Sequence, residues 1–244
     1  MLELENKRIL VTGASSGIGR QVAIACAESG ADLFIVGRNE ERLNETFNKL
    51  KGANHQKFIL DLTNEEAWLP LFESITDGLD GVVHCAGVNT KYPVKFLDKS
   101  KIEGIMEINF NVPVLITQKL LKLKKLNKEG SQVFISSISS SYAAVSNAIY
   151  GASKGALDSF SKVLALELAS QKIRVNTISP GLIQGEMLEN YELKDELLAF
   201  EKSIPLGRLG KYEDVSNAVV FLLSAKSSWI TGTDLKIDGG ITLK

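Results

Sequence analysis

Tyr150 and Lys154 stand four residues apart in the stretch IYGASKGA, residues 149–156. On a helix that spacing puts both side chains on one face. A free tyrosine titrates near pH ~10, too high for efficient proton transfer at neutrality. A nearby ammonium stabilises the phenolate and lowers that value toward the useful range. The pair could therefore exchange a proton with a substrate oxygen. It could equally be a boundary tyrosine and an ordinary solvated lysine, because a short motif alone is weak evidence. Competing chemistries find little support. His55 and His84 are the only histidines, so a Ser-His-Asp hydrolase would need one of them in an unsuitable place. No His, Cys and carboxylate cluster has ligand spacing, and no metal site is expected.

A second chemical feature is VTGASSGIG, which follows an apolar run and opens a helical pattern. Gly13, Gly17 and Gly19 permit a tight turn, close approach of backbone to a pyrophosphate and close helix packing. The helix start, with Ser15, Ser16 and Ile18, presents N–H groups and a positive dipole end to phosphates. Strand before and helix after is the context that supports a dinucleotide loop. An acidic residue ending the second strand would accept the ribose hydroxyls of NAD, whereas an arginine there suits a 2′-phosphate. In VGRNEER, Gly37 holds the acid's place and Arg38 follows. A planar guanidinium with no carboxylate beside it favours NADP(H), the alternative being a solvated charge at a strand end. Asp61 and the adjacent Leu62, after the third strand, are candidates for an adenine contact, and Asp61 is equally a candidate turn cap.

The elements that must position these residues alternate along the whole chain. RILVTG, ADLFIVG, HQKFILDL, LDGVVHCAG, SQVFISS, IRVNTISPG and DLKIDGG read as strands. Helical patterns lie between them, including NEERLNETFNKLK, NEEAWLPLFESIT, a long segment from about Lys99 to Leu126 bent at Pro113, Asn147 to Ser170, and Tyr212 to Ser224. Continuous apolar strands alternating with helices imply a parallel sheet covered on both faces. The expected fold is α/β: one Rossmann-like doubly wound domain over residues 1–244, with a mainly parallel seven-stranded sheet. The irregular stretch after Pro180, with a helical pattern near Leu193 to Lys202, lies where open α/β sheets bind ligands. Residues 182–203 are its expected lid, in which Glu186, Met187 and Tyr191 either line a pocket or decorate a loop.

The gross numbers agree with one large soluble unit: 244 residues, 44% hydrophobic, 23% charged and a formal net charge of -1. Near-neutral charge argues against a nucleic-acid surface. No apolar run approaches the ~18 residues of a membrane span. The chain begins MLELENKRIL, unlike a signal peptide. Two cysteines make neither a disulfide framework nor a metal cluster, so a reducing cytoplasm is the expected location.

TGASSGIG, CAG after the fourth strand, IN in the long helix, SS after the fifth strand, YGASK and SPG occur in order and at familiar spacing. In these motifs the chain resembles the single-domain branch of the short-chain dehydrogenase/reductase family over its whole length. Its C-terminal half, through IPLGRLGKYEDVSNAVVFLLS and SSWITGTDLKIDGG, is most similar to bacterial 3-oxoacyl-acyl-carrier-protein reductases. The resemblance implies Tyr150 as general acid, Lys154 as its partner and a contact to the nicotinamide ribose, and Ser137 as the hydroxyl that orients the carbonyl. Ser137 is chosen over Ser136 and Ser139 for its spacing to Tyr150. Asn109 matches the residue that helps hold a proton-relay water, although it could merely bond backbone inside its helix. Cys85, Ala86, Gly87, Pro180, Gly181 and Ile183 match positions along the cofactor. A homotetramer is implied, partly through the helices carrying Asn109 and Tyr150. The implied substrate is a 3-oxoacyl thioester on acyl carrier protein. Alternatives are a sugar, polyol or other small alcohol, a cofactor-binding regulatory protein without catalysis and, less in keeping, a sugar-nucleotide epimerase.

Three departures stand out. His84-Cys85 replaces the usual Asn-Asn before Ala-Gly; His84 is expected to bond backbone, and Cys85 to act as small packing. Gly185 stands where the family often carries a threonine that holds the nicotinamide carboxamide, so the clamp would rely on backbone such as Ile183. At one position where relatives present a basic residue to the carrier protein this chain has Gln171, with Lys172 adjacent. Lys124, Lys125 and Lys128 form a further basic cluster, which is either a docking face or a solvated one.

Overall fold

A computed structural model describes residues 3–185 and 201–243. Seven strands, β1 (Arg8–Thr12), β2 (Asp32–Gly37), β3 (Gln56–Ile59), β4 (Leu79–His84), β5 (Leu126–Ile135), β6 (Arg174–Pro180) and β7 (Asp234–Ile237), form one sheet in the order β3-β2-β1-β4-β5-β6-β7. Every neighbouring pair is parallel. The order reverses direction at β1 and β4, so the loops after these strands open a crevice at the carboxyl edge.

Helices cover both faces, as continuous apolar strands require. The pleat sends alternate side chains to opposite sides. Ile9 and Val11 of β1, Val83 of β4, and Val133 and Ile135 of β5 enter one apolar cluster. Leu10, Val82 and Phe134 enter the other. The first cluster is closed by α1 (Gly17–Glu28) and, near the C-terminus, α7 (Tyr212–Leu223). Gly19, Val22, Ala23, Cys26 and Ala27 are the buried stripe of α1, at helical spacing and small enough to bring the helix close to the sheet. The second cluster is closed by α3 (Leu69–Ser74), α5 (Val112–Lys122) and α6 (Ala148–Leu168), with Trp68 among its fully buried side chains. Among the described residues no helix is long and apolar enough to cross a membrane.

Several expected boundaries move. α2 covers Glu40–Phe47 only. Its end tightens into Lys49 N–H to Thr46 and Leu50 N–H to Phe47 carbonyl bonds, the i to i+3 pattern that closes helices. The segment read as one helix from Lys99 to Leu126 is α4 (Lys99–Met106), a π-turn over Glu107–Asn111, and α5. Pro113, four residues after Asn109, has no N–H to offer the Asn109 carbonyl. The register widens just before it, where Val112 N–H bonds the Glu107 carbonyl five residues back. The disturbance thus precedes the proline rather than centring on it. α5 stops at Lys122, Lys124 takes a left-handed φ of 54°, and Leu126 pairs with Leu79 as the first residue of β5. Its apolar side chain suits either assignment, and periodicity alone cannot separate them.

Candidate active site

The loop after β1, the ends of β4, β5 and β6, and the first turns of α6 meet at the carboxyl edge of the sheet. α6 brings Tyr150 and Lys154 to one face, with Lys154 only 5% exposed. The Ser137 side chain faces the Tyr150 phenol and acts to lower its pKa. Ser137 caps the short turn after β5, where its Oγ accepts from Ser139 N–H at 3.1 Å. The neighbouring serines point elsewhere: Ser139 Oγ accepts from Asn147 Nδ2 at 2.9 Å, and Ser136 Oγ donates to the Lys154 carbonyl at 3.5 Å. Lys154 Nζ donates to the Ile135 carbonyl at 2.8 Å and lies 5.8 Å from the centre of the Tyr150 ring.

Asn109 sits in the π-turn and is buried. Its Oδ1 accepts from Val88 N–H at 2.8 Å, while Nδ2 donates to the Val88 carbonyl and to Ser153 Oγ, each at 3.0 Å. The side chain therefore bonds backbone, but across the site rather than inside its own helix. It ties the loop after β4 to α6, since Ser153 Oγ donates in turn to the Tyr150 carbonyl at 2.7 Å. A Cβ on Gly87 would lie 3.1 Å from Asn109 Oδ1 and 3.5 Å from Lys154 Nζ, so a glycine keeps this corner open.

The electrostatics depart from the simple expectation that Lys154 pulls Tyr150 down. Burial raises the Tyr150 phenol, and the neighbouring Ser137 side chain only partly offsets that. Burial lowers Lys154 to about 8, opposed by the fields of Cys85 and Asp158. Each group is pushed toward its neutral form. At neutral pH the site holds a protonated phenol near a lysine that is still mostly charged.

The residues around the β1 loop fit a dinucleotide. A Cβ on Gly13 would lie 2.7 Å from Ala86 N, and one on Gly19 only 2.1 Å from the Gly13 carbonyl oxygen, so the loop is as tight as its motif requires. At Gly17, where α1 begins, a Cβ would meet only the Tyr212 ring and hydroxyl, in ordinary contact at 3.7 Å or more. Ser16 gives that helix no side-chain cap, and its first turn has no acidic residue. Ser15 Oγ is buried without a hydrogen-bond partner. It lies 1.9 Å from where a Cβ on Gly37 would be, so a carboxylate residue at 37 would collide with it. Arg38 is exposed beside it at the end of β2. Asp61 Oδ1 accepts from Thr63 N–H at 3.0 Å and from Thr63 Oγ1 at 2.8 Å, the turn-capping role. Those two bonds, ahead of the more distant Arg38 charge, hold its carboxyl below the usual range. Leu62 is buried, and its carbonyl accepts from Trp68 Nε1.

Past β6, Gly181 N–H bonds the Ile237 carbonyl, and a Cβ there would lie 2.8 Å from Asp238 Cα. Ile183 bridges to Gly210. Glu186, Met187, Tyr191 and most of the expected lid lie outside the described residues. His84 does not bond backbone as expected. It stacks on Phe134 at 4.5 Å between ring centres, 3.3 Å from Thr117 Oγ1 and 3.5 Å from Gln132 Oε1. Burial lowers it to about 4, so it is a neutral structural ring. Burial raises the Cys85 thiol, and Cys85 Cβ packs on the glycine loop 3.2 Å from a Gly19 Cβ position.

Two positioning residues escaped the sequence reasoning. Thr12 Oγ1 accepts from Cys85 N–H at 3.2 Å and Ala86 N–H at 3.3 Å, joining the two loops of the crevice. Its place directly before Gly13 was the available signal. Ser153, inside YGASK, is the second. Among the described residues no group of three His, Cys, Asp or Glu side chains could hold a metal ion.

Comparison with known proteins agrees with this geometry. Residues 13–242 match the family model described as enoyl-(acyl carrier protein) reductase. A 3-oxoacyl-[acyl-carrier-protein] reductase of Mus musculus is 38% identical over 243 residues, covering 98% of this chain and 99% of its own. A tropinone reductase homolog of Arabidopsis thaliana is 34% identical over 247 residues, covering 98% and 94%. A solved structure from Agrobacterium tumefaciens, provisionally named a 2-deoxy-D-gluconate 3-dehydrogenase and holding NADP, superposes with a TM-score of 0.88 at 30% identity over 100% of this chain and 99% of that one. With the parallel sheet, the glycine loop and the Ser137, Tyr150 and Lys154 cluster in place, the chain belongs to the short-chain dehydrogenase/reductase family of oxidoreductases.

Proposed function

We propose that this chain is an NADP(H)-dependent oxidoreductase that interconverts a carbonyl and a secondary alcohol, with a 3-oxoacyl thioester on acyl carrier protein as its leading substrate. The observation that carries the reaction is the Tyr150 phenol beside the buried Lys154, with its ring centre 5.8 Å from Lys154 Nζ and Ser137 acting on the same phenol. A nicotinamide dinucleotide, when bound, supplies the hydride for reduction and accepts it in the reverse direction. Burial keeps Tyr150 as the phenol, the form able to protonate a carbonyl oxygen as negative charge develops there. Ser137 Oγ is the second group that a carbonyl oxygen would meet, and it fixes the approach to Tyr150. The Lys154 ammonium stabilises the phenolate left by proton transfer and would hold the nicotinamide ribose. Asn109 keeps the floor of the site in place and, with a carbonyl deprived of its usual donor by Pro113, would hold the water that reprotonates the relay.

Preference for NADP(H) is supported by Ser15 Oγ in the space an acid at 37 would need, by the exposed Arg38, and by the NADP held in the Agrobacterium structure. Gly13, Ser15, Ser16, Gly17, Ile18 and Gly19 would take the phosphates. Asp61, Leu62, Cys85, Ala86, Gly87, Pro180, Gly181 and Ile183 would line the rest. The acyl-carrier-protein substrate is supported by the name of the mouse relative, and by exposed Lys124 and Lys128. Against broader use of that basic patch, Lys125 donates to the Ile75 carbonyl and Lys172 pairs with Glu129 at 2.9 Å. A sugar or polyol is the second reading, favoured by the name of the Agrobacterium neighbour.

The chain reads as one catalytic domain with a lid over 182–203. The lid is supported by a small separate cluster in which Leu182 packs with Ile138, Ile204, Leu209 and Ile241 at its described ends. A cytoplasmic homotetramer is in keeping with the exposed apolar side chains of α6, Val163 at 54% and Leu166 at 80% exposure. The deciding experiment follows NADPH oxidation with a short 3-oxoacyl thioester, alongside NADH and Tyr150→Phe controls. NADPH-dependent turnover, reduced about 10²-fold or more in the variant, is expected. Binding of NADPH without turnover would remove the thioester and leave sugars and polyols. Equal rates with NADH would remove the role given to Arg38.

A further inference from the structure

Asn147 stands directly before α6, where an asparagine usually caps the helix with its own oxygen. Here it gives α6 no side-chain cap. The residue is only 8% exposed. Its Nδ2 donates to Ser139 Oγ at 2.9 Å, and among the described residues its Oδ1 is buried without a hydrogen-bond partner. Such atoms are rare, because a buried acceptor left unmet forfeits its hydration. The amide adjoins the reacting groups. Asn147 precedes Tyr150 by about one helical turn. Ser139, which holds the amide, donates its backbone N–H to Ser137 Oγ at 3.1 Å.

We infer that Asn147 and Ser139 form a specificity pair, which binds a substrate group other than the reacting carbonyl that both gives and takes a hydrogen bond. The inference rests on the carbonyl–alcohol reaction proposed above. Asn147 Oδ1 can only accept. Ser139 Oγ accepts from Asn147 Nδ2, which leaves its hydroxyl proton as a donor. The pair therefore offers one acceptor beside one donor. Turning the amide over would exchange the two roles and leave the same complement, since Nδ2 would then donate and Ser139 Oγ accept. A hydroxyl meets both positions with one oxygen, and an amide meets them with its N–H and its carbonyl. An alkyl chain meets neither, and a site that binds it would keep a buried polar atom unmet. The same chemistry has two sources: a hydroxyl beside the carbonyl of a sugar or polyol, and an amide in the arm of an acyl thioester.

Two matched pairs of ketones test this with wild type, Asn147→Ala and Ser139→Ala, each supplied with the dinucleotide that the wild type prefers. Hydroxyacetone and butanone differ by a hydroxyl. Acetoacetyl-N-acetylcysteamine and the S-pentyl thioester of acetoacetate differ by an amide. In at least one pair the wild type should favour the polar member by about tenfold or more in kcat/KM, and the pair that shows it names the group. Either variant should bring that ratio close to one, whereas a residue that only braces the fold would lower both members together. Ser139→Ala carries the test if Asn147→Ala does not fold. No preference in either pair, or a preference that survives the substitutions, would overturn the specificity pair and leave the reaction standing. If the wild type turns over none of these ketones with either dinucleotide, the proposed function falls and this inference with it.

Discussion

Lys154 is a cation kept where a cation is costly, and that makes its removal informative. The residue is 5% exposed, and its ammonium donates to the Ile135 carbonyl at 2.8 Å. Burial brings its pKa from the ordinary 10.5 down to about 8, so the folded chain binds this proton less tightly than the unfolded chain does. Between those two values the unfolded state carries more protons, and stability rises with pH. Below about pH 8 the folded state bears the full penalty, which at about 1.4 kcal/mol per unit is roughly 3 kcal/mol. By pH 9.5 about 2 kcal/mol of it should have disappeared. Lys154→Met keeps the length of the side chain and removes the titration. Urea unfolding of both proteins without cofactor, at pH 7 and pH 9.5, should show Lys154→Met gaining most relative to wild type at pH 7, with the difference shrinking by about 2 kcal/mol at the higher pH. Subtracting one protein from the other cancels the opposing titrations of buried Cys26 and Tyr150, neither of which the Lys154 charge shifts. A difference that stays constant or grows with pH would refute burial as the cause of the Lys154 shift. Greater stability with lost turnover would mark Lys154 as retained for function at the expense of the fold.

Other substitutions probe the frame around the site. Gly19→Ala would drive a methyl to within 2.1 Å of the Gly13 carbonyl oxygen, which is backbone and cannot swing aside. Dinucleotide affinity should fall by about tenfold or more, measured by NADPH fluorescence titration, with the fold retained by circular dichroism. The side chain of Arg174, the first residue of β6, is buried against the end of α7, where it donates to the Leu222 carbonyl at 2.6 Å, Ser227 Oγ at 2.7 Å and the Ser224 carbonyl at 3.2 Å. Arg174→Met should lower stability by about 2–4 kcal/mol in urea, because part of this buried polar set loses its donors. His84, lowered by burial to about 4 from an ordinary 6.5, makes the folded state lose stability as pH falls through that window and level off below it. His84→Asn should flatten the decline by up to about 3 kcal/mol in pH-dependent thermal unfolding.

Much of this molecule was legible in one dimension because its signals are local. Apolar runs broken by glycine loops placed all seven strands, and the parallel sheet followed from helices between them. Tyr150 and Lys154 share a face for the simple reason that a helix turns every 3.6 residues. Less legible were places where a distant group overrides the local pattern. Leu126 continues the helical periodicity but pairs with Leu79 across the sheet. The turn at Glu107–Asn111 depends on a proline further along and on bonds from Asn109 to Val88.

The chain's order of residues by itself determined the fold class, the glycine loop and the placing of Tyr150 and Lys154 on one helix face, since each depends on residue type and short spacing. Only the tertiary structure decided the state of that pair. Burial, a property of everything packed around α6, raises Tyr150 and lowers Lys154 more effectively than either affects the other. It alone also brought Tyr212 against Gly17 and Gly185, because residues from three separate segments meet only when the carboxyl edge of the sheet assembles.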